Sequence, residues 1–190
     1  MIKDMIELIL SFMEKYEKGK AQLFNNHIEP LKNQIYEIHS DYLNSFIEVK
    51  KSLEKKEIPI SEMLHFLEQR RHDLAGQRDL SQTIAIELKK ANKSIVPTHA
   101  WEAFENFNNS ILNYFVSANA VARASWYSDF IHFMKVYQMM GDIDFFETNV
   151  FGNDPRTDTI EHVTLIIEKR LPAALNEINK NYAALRSALL

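Results

Sequence analysis

Apolar residues recur at steps of three and four along most of the chain. From the start they fall at Ile2, Met5, Ile6, Ile9, Met13, Tyr16 and Leu23. They continue at Phe24, Ile28, Leu31, Ile35, Ile38, Tyr42, Phe46, Val49 and Leu53. That spacing places one apolar stripe on one face of a helix. Pro30 interrupts it chemically, because a helix-interior proline removes a donor and crowds the preceding turn. The spacing nevertheless runs through Pro30 without resetting. The pattern therefore predicts one helix kinked at Pro30 and continuing to about residue 56. The alternative places Pro30 at the first position of a second helix, where proline is tolerated.

Glu57-Ile58-Pro59-Ile60-Ser61 is the first boundary: Pro59 disfavours helix at Ile58, and Ser61 is a suitable N-cap. The next helix is expected over 61–92, with the stripe Leu64, Leu67, Arg71, Leu74, Arg78, Ser81, Ala85 and Leu88. These alternating steps describe a coiled-coil-like seam. Pro97 blocks continuation, and Thr98 is placed to cap a central helix over 101–140. Its stripe is Trp101, Phe104, Asn108, Ile111, Phe115, Ala118, Ala122, Ser125, Asp129, Phe133 and Val136. Phe107, Tyr114, Val121, Tyr127, Phe130, Ile131 and Tyr137 extend apolar character around this helix, as expected when several neighbours pack against it. Gly141 signals its end. A connection over 142–157 carries turn residues together with Phe145, Phe146 and Phe151, which favour folding back onto the helices. A last helix, capped by Thr157 or Asp158, follows Ile160, Thr164, Ile167, Leu171, Ala174, Ile178, Tyr182, Leu185 and Leu189, with a kink expected at Pro172.

The expected architecture is all-α: an elongated antiparallel bundle of four or five long helices with coiled-coil-like seams, kinked at Pro30 and Pro172. With no linker or internal repeat, it is read as one domain over 1–190. Only 4 Gly and 5 Pro occur, which leaves little provision for tight turns or a sheet. A net charge of −4 argues against a strongly basic nucleic-acid or membrane surface. The absence of Cys excludes disulfide and thiolate chemistry. Asp4 and Glu7 break the first apolar run, so it does not read as a signal peptide, and no stretch is apolar enough to span a bilayer. The expected location is the cytoplasm.

Three constellations carry candidate chemistry. The first is a polar break in the seams: Arg71 and Arg78 on one helix, Ser125 and Asp129 on its expected neighbour, with Lys20 and His27 similarly placed on the first. A charge on an apolar stripe needs a partner or an escape to solvent. The four seam residues are therefore the candidate binding site, as a register-fixing set of ion pairs or a polar pocket. The second is Glu62-x-x-His65, with Asp129-x-x-His132 as an echo. This is the spacing of carboxylate-bridged di-iron bundles. Glu62 and His65 fall on the side away from the Leu64-Leu67-Leu74 stripe, so no metal site is assigned. The third is Arg156-Thr-Asp-Thr-Ile-Glu-His162.

That segment resembles the Arg-x(4–6)-His pattern of HEPN-type ribonucleases, an all-helical family. The resemblance covers seven residues and implies phosphate stabilisation by Arg156 and proton transfer by His162. It supplies the alternative reading of function. The primary expectation is a non-catalytic interaction or assembly protein, self-associating, with no cofactor and no membrane partner. RNA is a partner only under the ribonuclease reading.

Overall fold

The computed structural model describes residues 24–55, 59–73, 75–90, 96, 98–115, 126–142 and 155–189, without the side chains of 137, 139–142, 155 and 156. Among the described residues the chain is helical almost throughout and contains no strand. A π-helical turn, Phe24–Ile28, leads directly into α1, Glu29–Lys55. Then come α2 (Ile60–Asp73), α3 (Ala75–Lys90), α4 (Trp101–Tyr114) and α5 (Trp126–Asp142). α6 (Pro155–Leu165) passes through a second π-helical turn, Ile166–Arg170, into α7 (Leu171–Leu189).

Both π-helical turns have the same local cause. Each spans five residues, and each is followed by one residue and then a proline, Pro30 or Pro172. A proline in a helix has no N–H to offer and its ring crowds the carbonyl four residues back. Opening the preceding turn relieves that crowding while the helix continues. At the second site, the Leu171 N–H bonds to the Ile166 carbonyl, five residues back instead of four. Both prolines face solvent.

The described residues divide into two compact units. The first takes residues 24–38, 76–115 and 174–189. The second takes residues 39–75 and 116–173, as far as these are described. The divisions at 38/39 and 173/174 fall inside helices, so α1 and α7 each contribute to both units.

In the first unit, Phe24, Ile28, Leu31, Ile35 and Ile38 are buried with Ile84, Ala85 and Leu88 of α3. Phe104, Phe107, Ile111 and Tyr114 of α4 and Ile178, Tyr182, Leu185 and Leu189 of α7 complete this core. Tyr182 lies 5.3 Å from the Phe24 ring and 6.2 Å from the Phe107 ring. Its hydroxyl donates to the Glu29 carboxylate, and the Lys32 ammonium sits 4.3 Å over its ring. One buried aromatic thus ties α7 to the start of α1 by packing, a hydrogen bond and a cation–π contact. In the second unit, α2 packs against α5, and α5 against α6. Its core holds Tyr42, Phe46, Val49 and Leu53 of α1, Met63, Leu64 and Leu67 of α2, and Trp126, Tyr127, Phe130, Ile131 and Met134 of α5.

Several expected boundaries move. α2 begins at Ile60, because the Pro59 carbonyl accepts from Glu62 and Met63, so Ser61 lies inside the first turn and does not cap it. The expected 61–92 helix appears as α2 and α3, with residue 74 outside the described residues. A 3-10 turn, Thr98–Ala100, precedes α4, whose N-cap is Ala100. The expected 101–140 helix is instead α4, ending with its C-cap at Phe115, and α5; Ala118, Val121, Ala122 and Ser125 lie outside the described residues. α6 begins at Pro155, ahead of the expected caps Thr157 and Asp158, because a proline at the first helical position gives up an N–H that would be unbonded anyway. The apolar segments before 24 and between 143 and 154 also lie outside the described residues.

The proline sites make a clean test. Pro172→Ala is expected to change unfolding free energy by less than about 1 kcal/mol, because the ring is exposed and the chain has already accommodated it. Ala184→Pro, at an exposed position inside α7, is expected to cost about 3 kcal/mol or more. Urea denaturation of the two variants measures both, and a similar cost at the two sites would contradict the accommodation.

Candidate functional site

The most developed polar cluster lies in the second unit, where α1, α2 and α5 meet. Asp41 and Ser45 stand one turn apart on α1, next to the stripe residues Tyr42 and Phe46. Arg70 comes from α2 and Tyr127 from the first turn of α5. Tyr127 is fully buried, with its ring 4.7 Å from Tyr42 and 5.5 Å from Phe46. A buried phenol needs a hydrogen-bond partner, and the Tyr127 O–H donates to Asp41 Oδ2. Its single hydrogen being used, the Tyr127 oxygen accepts from Ser45 Oγ–H at 2.8 Å. Arg70 Nη2 holds Asp41 Oδ1 at 2.7 Å, and Arg70 Nε points to Ser45 Oγ at 3.5 Å. The four residues close a ring: Arg70 to Ser45, Ser45 to Tyr127, Tyr127 to Asp41, and Asp41 back to Arg70.

The ring's polar groups are turned on one another. Both Asp41 carboxylate oxygens are engaged. Burial, and next the hydrogen bond to Asp41, push the Tyr127 phenol far above its usual range, so it stays protonated at neutral pH. The Asp41 side chain is 9% exposed while that of Arg70 is 39% exposed, so the carboxylate is the desolvated partner and the guanidinium keeps contact with water. The pairing stabilises a buried anion that would otherwise be costly.

A second cluster in the same unit surrounds His162 of α6. Its ring lies flat on Phe133, centroids 4.1 Å apart and planes 2° apart, with Phe130 at 6.3 Å. Its Nε2 is buried with no hydrogen-bond partner, as are Asp129 Oδ2 on α5 and Arg170 Nη1 on the π-helical turn. Burial, and then the Arg170 charge, lower the His162 pKa, with Asp129 pulling the other way.

The polar seam divides between these surroundings. Arg71 is half-buried in α2 and Asp129 half-buried in α5, both within the second unit, while Arg78 is buried in the first, at 4% exposure. Ser125 lies outside the described residues, as does Lys20. His27 is half-buried and its pKa is lowered by burial. The side chain of Arg156 also lies outside the description, although its backbone sits in the first turn of α6. Glu62 and His65 line a groove of about 400 Å³ with Ser61, Phe66 and Gln69, and both are exposed. Among the described residues no group of three His, Asp or Glu side chains is placed to hold a metal ion.

Sequence reasoning missed Asp41, Ser45, Arg70 and Tyr127. The available signal was the Asp41/Ser45 pair at i, i+4, lying against Tyr42 and Phe46 of an otherwise unbroken stripe. Nothing local to the chain indicates that Tyr127 is the group they serve. No helix among the described residues is long and apolar enough to cross a membrane. Comparison with protein-family models, curated proteins and solved structures finds no match, so function is argued from the geometry alone.

Two predictions follow from these environments. Tyr127→Phe removes the donor to Asp41 and is expected to cost about 1–3 kcal/mol in urea denaturation. A cost near zero would mean that the ring contributes nothing. Stability should also have a plateau at neutral pH. Burial lowers the folded-state pKa of His27, His39 and His162 below 6.5, so the unfolded chain binds more protons in acid. Stability is then full above 6.5 and falls as pH drops through it. Tyr127 is raised above 10.0, and Tyr182 is raised to about 12 by burial and its bond to Glu29, so stability is also lost as pH climbs past 10. Thermal midpoints between pH 5 and 11 read both limbs; a flat acid limb would contradict the burial of the histidines.

Proposed function

We propose that this chain is a non-catalytic helical interaction protein that assembles with copies of itself. The observation that carries the reading is the closed ring of Arg70, Ser45, Tyr127 and Asp41. These four side chains are engaged with one another and tie three helices together, as expected of a scaffold. Val136 supports the assembly part. It is a large apolar side chain left 43% exposed on α5, off that helix's buried face, and contact with a second copy would cover it. The wider form of the proposal is an elongated antiparallel bundle kinked at Pro30 and Pro172, with coiled-coil-like seams polarised by Arg71, Arg78, Ser125 and Asp129, working in the cytoplasm.

The competing ribonuclease reading requires His162 to offer an imidazole nitrogen to RNA beside Arg156. The buried Nε2 of His162 and its stack on Phe133 weigh against that role. Light scattering of the purified chain at micromolar concentration is expected to give a multiple of 22.2 kDa. A mass of one chain at every concentration would overturn the assembly reading. The same preparation is expected to leave RNA intact. RNA cleavage that His162→Ala abolishes without unfolding the chain would replace this proposal with the enzyme.

A further inference from the structure

The Tyr127 ring leaves no polar atom of Asp41 idle, whereas the His162 cluster leaves three. His162 Nε2, Asp129 Oδ2 and Arg170 Nη1 are each buried with no hydrogen-bond partner, and they come from three successive elements of one unit. Buried polar atoms are normally satisfied, so a concentration of unsatisfied ones marks a place with a second arrangement available. Asp129 and Phe133 are four residues apart on α5 and therefore share one face of it. The imidazole that lies 4.1 Å over Phe133 is thus one helical turn from the Asp129 carboxylate.

We propose that His162 is a proton-operated latch between α5 and α6, which in mild acid leaves its stack on Phe133 and pairs with Asp129. The neutral ring stacks on Phe133 and gains by contact, at the cost of an unpaired Nε2. Taking one proton from solvent makes Nε2 a charged donor, and Asp129 Oδ2, one helical turn along α5 from Phe133, is an acceptor with no partner. The new charge-assisted bond satisfies two of the three idle atoms in one step. Forming it turns the ring off Phe133 and loosens the packing of α6 on α5.

The charges around the ring set the poise. From α5, Asp129 favours the imidazolium; from the π-helical turn, Arg170 disfavours it. His132 and Lys135 on α5, Asp158 and Glu161 on α6, and Glu168 and Lys169 on the π-helical turn are all exposed, where solvent screens them, and Lys50 of α1 lies 4.0 Å from the Glu168 carboxylate, which offsets its charge. Burial and Arg170 together outweigh Asp129, so the latch is closed at neutral pH and opens below 6.5. An imidazole is the side chain suited to report over that interval.

The test follows the His162 Cε1–H resonance of the whole chain by NMR from pH 7.5 to 5, assigned by its loss in His162→Phe, which keeps a ring against Phe133. The expected result is a ring-current-shielded resonance at neutral pH that loses its shielding with the same midpoint as protonation, below 6.5. Asp129→Asn is expected to lower that midpoint and leave the ring shielded further into acid. Arg170→Gln is expected to raise it. Shielding that persists through protonation overturns the latch, as does a midpoint that neither variant moves. Should Asp129→Asn fail to fold, the wild-type shielding and the opposite shift in Arg170→Gln decide the matter.

Discussion

A fully buried phenol constrains the second unit more than any other single group. Tyr127 contributes ring contacts with Tyr42 and Phe46, and that packing takes its hydroxyl out of water. The hydroxyl then requires an acceptor, and Asp41 supplies one. The acceptor is an anion drawn out of water in its turn, so it requires a cation, and Arg70 supplies that from another helix. Each step follows from the cost of the one before. The outcome is three helices held in one register by a bonded ring as well as by apolar contact. Hydrophobic burial alone tolerates sliding along a seam; directional bonds between specific residues do not.

Register across α6 and α7 is governed by Pro172 in a different way. A π-helical turn carries an extra residue relative to an α-helical one, so it advances the helix face by one position. Before Pro172 this is visible in the core. Thr159, Val163 and Ile166 are buried, then Leu171, Ile178, Tyr182, Leu185 and Leu189. The step from Ile166 to Leu171 is five residues, where the other steps are three, four or the sum of the two. The turn before Pro172 thus bears on which residues of α6 face inward, although the proline itself points to solvent. His162 occupies its place against Phe133 on that shifted face.

The two polar clusters stand in contrast. Around Tyr127 donors and acceptors are matched, and the arrangement has one favourable state. Around His162 they are unmatched, and a single proton changes which pairing is best. A scaffold benefits from the first kind of site, while a response to conditions needs the second.

Much of the fold was legible in the residues. Every stripe position from Phe24 to Leu53 is buried, because a long helix repeats its geometry faithfully and solvent selects one face. The all-helical class follows equally from that periodicity and the scarcity of glycine. Where the sequence reading failed, phase had been carried across something that resets it. The stripe extended from α4 predicts Asp129, Phe133 and Val136 inward. Instead α4 ends at Tyr114, and α5 buries Trp126, Tyr127, Phe130, Ile131 and Met134. In α6 the expected Ile160, Thr164 and Ile167 give way to their neighbours because of the π-helical turn. Arg78 could be placed on a stripe from sequence and is indeed buried. The Asp41–Arg70–Tyr127 ring could not be foreseen, since its members are separated by dozens of residues and none is exceptional alone. Periodicity is a local property and is written into the order of the residues. Which buried hydroxyl meets which carboxylate depends on how separate helices pack, and only the tertiary structure decides that.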